Sequence, residues 1–150
     1  MLSPITVFVV FSVAVAMLAC VRRIPQGQAY TLRRVGGHLR AIGAGTHVVV
    51  PLVERVAHRI RLLGNVVAFE RLATGGRCYD GAIYYQVLDA ERADAVIDRV
   101  DGLLRGCLAR QLEAVADEDE PARNRRIKSE LNREVAERGI LITRVQITAA

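Results

Sequence analysis

The sequence predicts an α+β domain that follows an apolar helical segment, and three observations support this prediction. Residues 1–21 contain no charged side chain and are dense in Val, Phe, Leu and Ala. Short apolar runs then alternate with glycine-containing turns, which is typical of antiparallel strands. From Asp89 onward the apolar residues recur at intervals of three and four, the spacing of amphipathic helices, before a final strand-like run. The expected fold is an antiparallel-rich sheet with two to three helices.

Residues 1–21 are interpreted as an uncleaved transmembrane anchor, because about 20 apolar residues in a helix cross a hydrocarbon layer of about 30 Å. A cleaved secretory signal would need a basic region before the apolar run, and "MLSPIT" has none. Two alternatives remain: a lipoprotein signal with Cys20 as its candidate lipidation site, and a buried helix of a soluble domain. Arg22 and Arg23 follow directly, so the positive-inside rule predicts a single-pass protein of the cell (inner) membrane with its soluble domain in the cytoplasm.

Glycine turns divide the β-rich part of the chain. Gly36-Gly37 and Gly43-Ala44-Gly45 suit hairpin turns. The stretch "GAGTHVVVPLVERV" predicts a turn, a strand at Val48–Val50 and a corner at Pro51. It does not fit a phosphate loop, because its glycines precede a β-branched run instead of leading from a strand into a helix. The run "YDGAIYYQVLD" predicts a further strand, introduced by Asp80-Gly81.

Two amphipathic helices are predicted after this strand. The first has an apolar stripe up to Val115, and a break is expected near Gly102 and Gly106, since a glycine weakens a helix by about 1 kcal/mol. The second begins at Pro121 after an acidic run and ends at Gly139, a suitable C-cap. Its narrow apolar stripe suffices to pack against one sheet. The run "ILITRVQI" then predicts the last strand.

The net charge of +5 is distributed unevenly along the chain. Residues 22–78 carry a net +8, residues 79–120 a net −7 and residues 121–150 a net +4. The basic segment adjoins the predicted anchor, where each arginine near an anionic leaflet contributes about 1 kcal/mol to binding. Anionic lipids are therefore the expected partner; nucleic acid is not, because no recognition motif accompanies the arginines. The residues expected to contact the membrane surface are Arg22, Arg23, Arg33, Arg34 and Arg40.

The sequence shows no recognisable catalytic, cofactor or metal motif. Ser129 is the one serine after the apolar segment, and no Gly-x-Ser-x-Gly elbow occurs. The three histidines lack the spacing of common metal motifs; they are His38, His47 and His58. Cys107 lies on the apolar stripe and is expected in the core, and Cys78 is an isolated thiol. We expect no enzyme activity, no cofactor and no bound metal. The alternative is a small membrane-bound catalytic or ligand-binding protein that uses a Cys/His site.

Four segments resemble, in order and spacing, the stomatin/prohibitin/flotillin proteins (band 7, or SPFH), and most closely their bacterial stomatin-like branch. The segments are "VRRIPQGQAYTLRRVGGHLRAIGAGTHVVVPLVERVAHRI", "YDGAIYYQVLDAERA", "LRGCLARQLEAV" and "NRRIKSELNREVAERGILITRVQI". The resemblance covers residues 20–147. It implies a transmembrane anchor at residues 1–21 and one band 7 domain at residues 22–150.

The resemblance implies a scaffold that organises membrane microdomains or regulates a membrane protein complex, such as a membrane protease or a channel. It also implies association with further copies of the chain or with a longer family member. Family members usually continue after the last strand into a long coiled-coil helix that drives ring or cage assembly. Because no such helix follows in these 150 residues, small and weak assemblies are expected. The segments "ERLATGGRC" and "ADEDEPARNRR" also depart from the family pattern.

Overall fold

A computed structural model describes residues 3–50, 53–115 and 117–149, and its helices and antiparallel strands confirm the predicted α+β class. The helices are α1 (Pro4–Cys20), α2 (Ala90–Asp94), α3 (Val100–Ala114) and α4 (Glu120–Val135). The strands are β1 (Val21–Ile24), β2 (Gln28–Arg34), β3 (Leu39–Ile42), β4 (Gly45–Val48), β5 (Glu54–Arg61), β6 (Asn65–Thr74), β7 (Arg77–Val87) and β8 (Ile140–Ala149). The chain divides into two units, Met1–Arg59 and Ile60–Ala150.

Helix α1 covers most of the predicted anchor and ends one residue earlier, because Val21 begins β1. Residues 1 and 2 of the prediction lie outside the described residues. The 17 residues of α1 carry no charge, and the hydroxyl of Ser12 donates a hydrogen bond of 2.9 Å to the carbonyl of Phe8. None of the helices in the described part of the chain combines the length and the apolar character needed to span a membrane.

The first unit contains two small sheets. Strand β1 pairs antiparallel with β4, from Val21 opposite Val48 to Ile24 opposite Gly45. Strand β2 lies between β3 and β5, and the predicted Gly36-Gly37 turn joins β2 to β3 with φ angles of 115° and 87°. The buried cluster of this unit has a tyrosine packed against it; its members are Ile24, Leu32, Ile42 and Val49, with Tyr30 alongside.

The predicted strand at Val48–Val50 is wrong in its position, because β4 runs from Gly45 to Val48. The backbone of Val49 leaves the ladder, and its N–H donates to the carbonyl of Cys20 at 2.8 Å. The side chain of Val49 is buried in the small core. The β-branched run therefore supplies one strand residue and one core residue.

The second unit has a sheet in the order β6-β7-β8. The β6–β7 hairpin turns at Gly75-Gly76, whose φ angles are 60° and 76°. Strand β7 begins at Arg77, before the Asp80-Gly81 pair that is predicted to introduce it. Gly81 lies inside β7 opposite Phe69 and Ile147. A Cβ atom there would be 2.2 Å from the carbonyl oxygen of Gln146, so close strand packing requires this glycine.

Helices α3 and α4 pack on this sheet. The break predicted near Gly102 and Gly106 is wrong, because α3 continues through both glycines. Its buried side chains offset the helix propensity lost at two positions, since tertiary packing supplies most helix stability; they are Val100, Leu104, Cys107, Leu108 and Leu112. Proline in the first turn of α4 and the left-handed Gly139, with φ of 70°, agree with the prediction.

Candidate functional site

Helix α1 exposes apolar side chains all around its circumference. Their relative exposures lie between 49% and 73% for Ile5, Val7, Phe8, Val9, Val10, Phe11, Val13, Val15 and Met17. A helix of a soluble domain buries one apolar stripe and shows a charged or polar face. The described side chains of α1 form no buried stripe, and its sequence has no charged residue. These side chains form a continuous run of exposed apolar residues along the described part of the helix.

Two of the predicted membrane-contact arginines follow α1 directly. Arg22 and Arg23 are exposed on β1, where they pair with His47 and Thr46 of β4. The imidazole Nε2 of His47 lies 3.0 Å from the carbonyl oxygen of Gly43, which holds the histidine side chain against the loop that precedes β4. The first two charged residues after the apolar helix therefore lie on a strand whose backbone is hydrogen-bonded to β4.

The other three predicted arginines do not form one group. Arg33 pairs with Leu39, whereas Arg40 pairs with Leu32 at the next position of the β2–β3 ladder. Side chains of successive pairs point to opposite faces of a sheet. Arg33 and Arg40 therefore lie on opposite faces of the hairpin, and Arg34 lies at the end of β2.

Arg33 and Arg34 line a cleft together with three residues that the sequence prediction missed: Val35, Val53 and Arg55. The cleft has a volume of about 270 Å³. A guanidinium nitrogen of Arg34 donates to Oε1 of Glu54 at 3.0 Å, and the Glu54 side chain is 9% exposed. The alternation of apolar and charged residues in "VERV" is a sequence pattern that marks Arg55 as exposed on a strand. That Arg55 lies near Arg33 follows only from the pairing of β2 with β5.

The cysteines of the alternative Cys/His site differ in their surroundings. Cys107 is 3% exposed; its sulfur accepts a hydrogen bond of 3.4 Å from Arg110, which also pairs with Glu134 at 2.7 Å. Burial and then Glu134 raise the pKa of the Cys107 thiol, which disfavours the reactive thiolate. Cys78 is exposed on β7, and Cys20 is half-buried at the end of α1. Among the described residues, no group of His, Cys, Asp or Glu has the arrangement of a metal site.

No protein-family model matches this sequence. The resemblance to the stomatin/prohibitin/flotillin proteins therefore stays a hypothesis that rests on the four segments and their order. The geometry defines an apolar helix followed by strands that carry arginines in the same unit, with a cleft lined by Arg33, Arg34 and Arg55.

Proposed function

We propose that this chain is a membrane-anchored, non-enzymatic scaffold of the stomatin/prohibitin/flotillin kind, with residues 1–21 as its single-pass anchor and a band 7 domain from residue 22 to residue 150. The observation that carries the proposal is the apolar surface of α1, which has no polar side for water. In water this surface would drive association, whereas hydrocarbon accommodates it on every side.

The basic strands support the same proposal. Arg22 and Arg23 place positive charge directly after the helix, and the cleft at Arg33 and Arg55 adds charge in the same unit. Anionic headgroups attract such residues, and the positive-inside rule places them on the cytoplasmic face of the cell (inner) membrane. The expected partners are anionic lipids, further copies of this chain or a longer family member, and a membrane protease or channel under its regulation; nucleic acid is not among them.

The anchor is tested by washing membranes that contain the full chain with alkaline carbonate. We expect the wild-type chain to stay in the membrane pellet and a variant with Val10, Phe8 and Phe11 replaced by Gln to move to the supernatant. The matched control replaces three exposed apolar residues of the second unit, Val66, Leu88 and Leu141, and should stay in the pellet. Extraction of the wild-type chain by carbonate would contradict the anchor.

The scaffold activity needs a separate test, which is cross-linking of the full chain in intact membranes followed by mass spectrometry. Reproducible cross-links to a membrane protease, a channel or a longer band 7 protein are the expected result. A reporter fused after residue 150 should be active in the cytoplasm. If the reporter were active only on the non-cytoplasmic side of the membrane, the predicted topology would be wrong.

A further inference from the structure

We propose that the cleft formed by Arg33, Arg34, Val35, Val53 and Arg55 binds the phosphomonoester headgroup of an anionic lipid. This cleft is called the hairpin cleft below. The inference rests on the proposed function, because that function brings the first unit to the membrane surface. It goes beyond general attraction between basic residues and a leaflet, since it assigns a defined site to one class of headgroup.

The walls of the hairpin cleft are held by backbone hydrogen bonds. The N–H of Val35 donates to the carbonyl of Val53 at 2.9 Å, which joins the β2–β3 turn to the segment before β5. The N–H of Arg34 donates to His38 at 3.0 Å, and that of Glu54 donates to Val50 at 2.9 Å. The backbone around the cleft is therefore fixed before a ligand binds, which lowers the entropy cost of binding.

The charges in the hairpin cleft match a phosphomonoester. Arg34 is paired with Glu54, and this ion pair fixes the Arg34 side chain. The ion pairs of the described residues do not include Arg33 or Arg55. These two guanidinium groups leave a net charge of about +2, and a phosphomonoester carries about −1.5 to −2 at pH 7. Arginine also binds phosphate oxygens through two parallel hydrogen bonds.

The valines favour a lipid over a free phosphate ion. Val35 is 78% exposed at the turn, and Val53, whose carbonyl accepts the Val35 N–H, is 42% exposed; both residues line the hairpin cleft. Burial of these side chains against the glycerol and upper acyl region of a lipid removes apolar surface from water. A free phosphate ion makes no such contact. Basic residues beside exposed apolar side chains are a feature of segments that lie in the membrane interface.

The test measures binding of short-chain phosphatidic acid to the full chain in detergent, with phosphatidylglycerol, phosphatidylcholine and inorganic phosphate as comparison ligands. The R33E/R55E variant should lose at least about tenfold in affinity for phosphatidic acid, since a hydrogen bond to a charged group contributes more than one factor of ten. The control R125E/R144E has the same change in charge at exposed positions of the second unit and should bind like the wild type. Equal losses in the two variants would overturn the site.

A V35S variant distinguishes binding of a lipid headgroup from binding of a free phosphate ion. We expect it to weaken phosphatidic acid binding and to leave inorganic phosphate binding unchanged. Unchanged binding of both ligands would overturn the lipid assignment, and equal affinity for phosphatidylglycerol would overturn the phosphomonoester assignment. These measurements use soluble ligands, so they are independent of the carbonate wash. A chain that is released by carbonate and still binds phosphatidic acid through Arg33 and Arg55 would contradict the anchor alone.

Discussion

Asn132 on α4 and Ile142 on β8 exchange two hydrogen bonds. Nδ2 of Asn132 donates to the carbonyl of Ile142 at 3.1 Å, and the N–H of Ile142 donates to Oδ1 of Asn132 at 2.7 Å. The carboxamide thus takes the place of a neighbouring strand. A second contact on β8 comes from Arg123, whose guanidinium donates to the carbonyl of Ile147 at 3.0 Å. Side chains of α4 therefore occupy backbone groups of β8 that another strand would otherwise use.

The first prediction concerns this pair. Replacing Asn132 with Leu leaves the N–H and carbonyl of Ile142 without partners, and replacing it with Asp removes the donor only. We expect both variants to lower the free energy of unfolding by roughly 1–3 kcal/mol, the cost of an unsatisfied buried polar group. Chemical denaturation measures this change. The control S129A, on the exposed side of α4, should have a free energy of unfolding within about 0.5 kcal/mol of the wild type. If N132L also lowered the free energy of unfolding by no more than this, the pair would contribute little to stability.

The local features of the fold could be predicted from the sequence, because neighbouring residues determine them. The Gly36-Gly37 turn, the proline at the start of α4 and the cap at Gly139 follow from local dihedral preferences. The position of Gly81 could not be predicted in this way. Asp-Gly is a strong turn signal, yet Gly81 lies within a strand because β7 pairs with both β6 and β8. The carbonyl of the distant Gln146 leaves no space for a Cβ atom at this position.

Only some residues of the candidate site could be predicted, because the others join it through contacts between distant parts of the sequence. Arginines that follow an apolar segment can be recognised from the sequence alone, so the sequence selects Arg33 and Arg34 as candidate site residues. Arg55 and Val53 join them only through the pairing of β2 with β5, which a single sequence does not specify. The ladder also separates Arg40 from Arg33, although the two residues are close in sequence.

The second prediction concerns assembly. The apolar stripe of α4 is fully buried within its own unit, so no apolar side of this helix remains for a second helix; its members are Ile127, Leu131 and Val135. The contacts of Asn132 and Arg123 also obstruct strand addition at β8. We expect small homo-oligomers by mass photometry in detergent, with dissociation on dilution. A discrete ring of many copies that survives dilution would contradict this prediction.

The third prediction concerns thiol reactivity, and it tests the alternative Cys/His function. In a C20S background, a maleimide should label the exposed Cys78 in the folded protein and Cys107 only after denaturation. The raised pKa of Cys107 keeps it protonated at neutral pH, and burial excludes the reagent. Mass spectrometry of labelled peptides identifies the site. Rapid labelling of Cys107 in the folded chain would favour the alternative function.

The fourth prediction compares a glycine that has no space for a side chain with a glycine that has free space around it. Gly81 faces the carbonyl oxygen of Gln146, which would be 2.2 Å from a Cβ atom, so G81A must displace the β7–β8 backbone. Gly106 lies within α3, and no atom lies within 4 Å of its Cβ position. We expect G81A to lower the free energy of unfolding by about 3 kcal/mol, as overpacking does. G106A should raise it by about 0.5–1 kcal/mol, because alanine restricts the unfolded chain and favours the helix. Denaturant titration of both variants measures the two changes. Destabilisation by G106A would show that the space above α3 at this glycine is occupied in the folded protein.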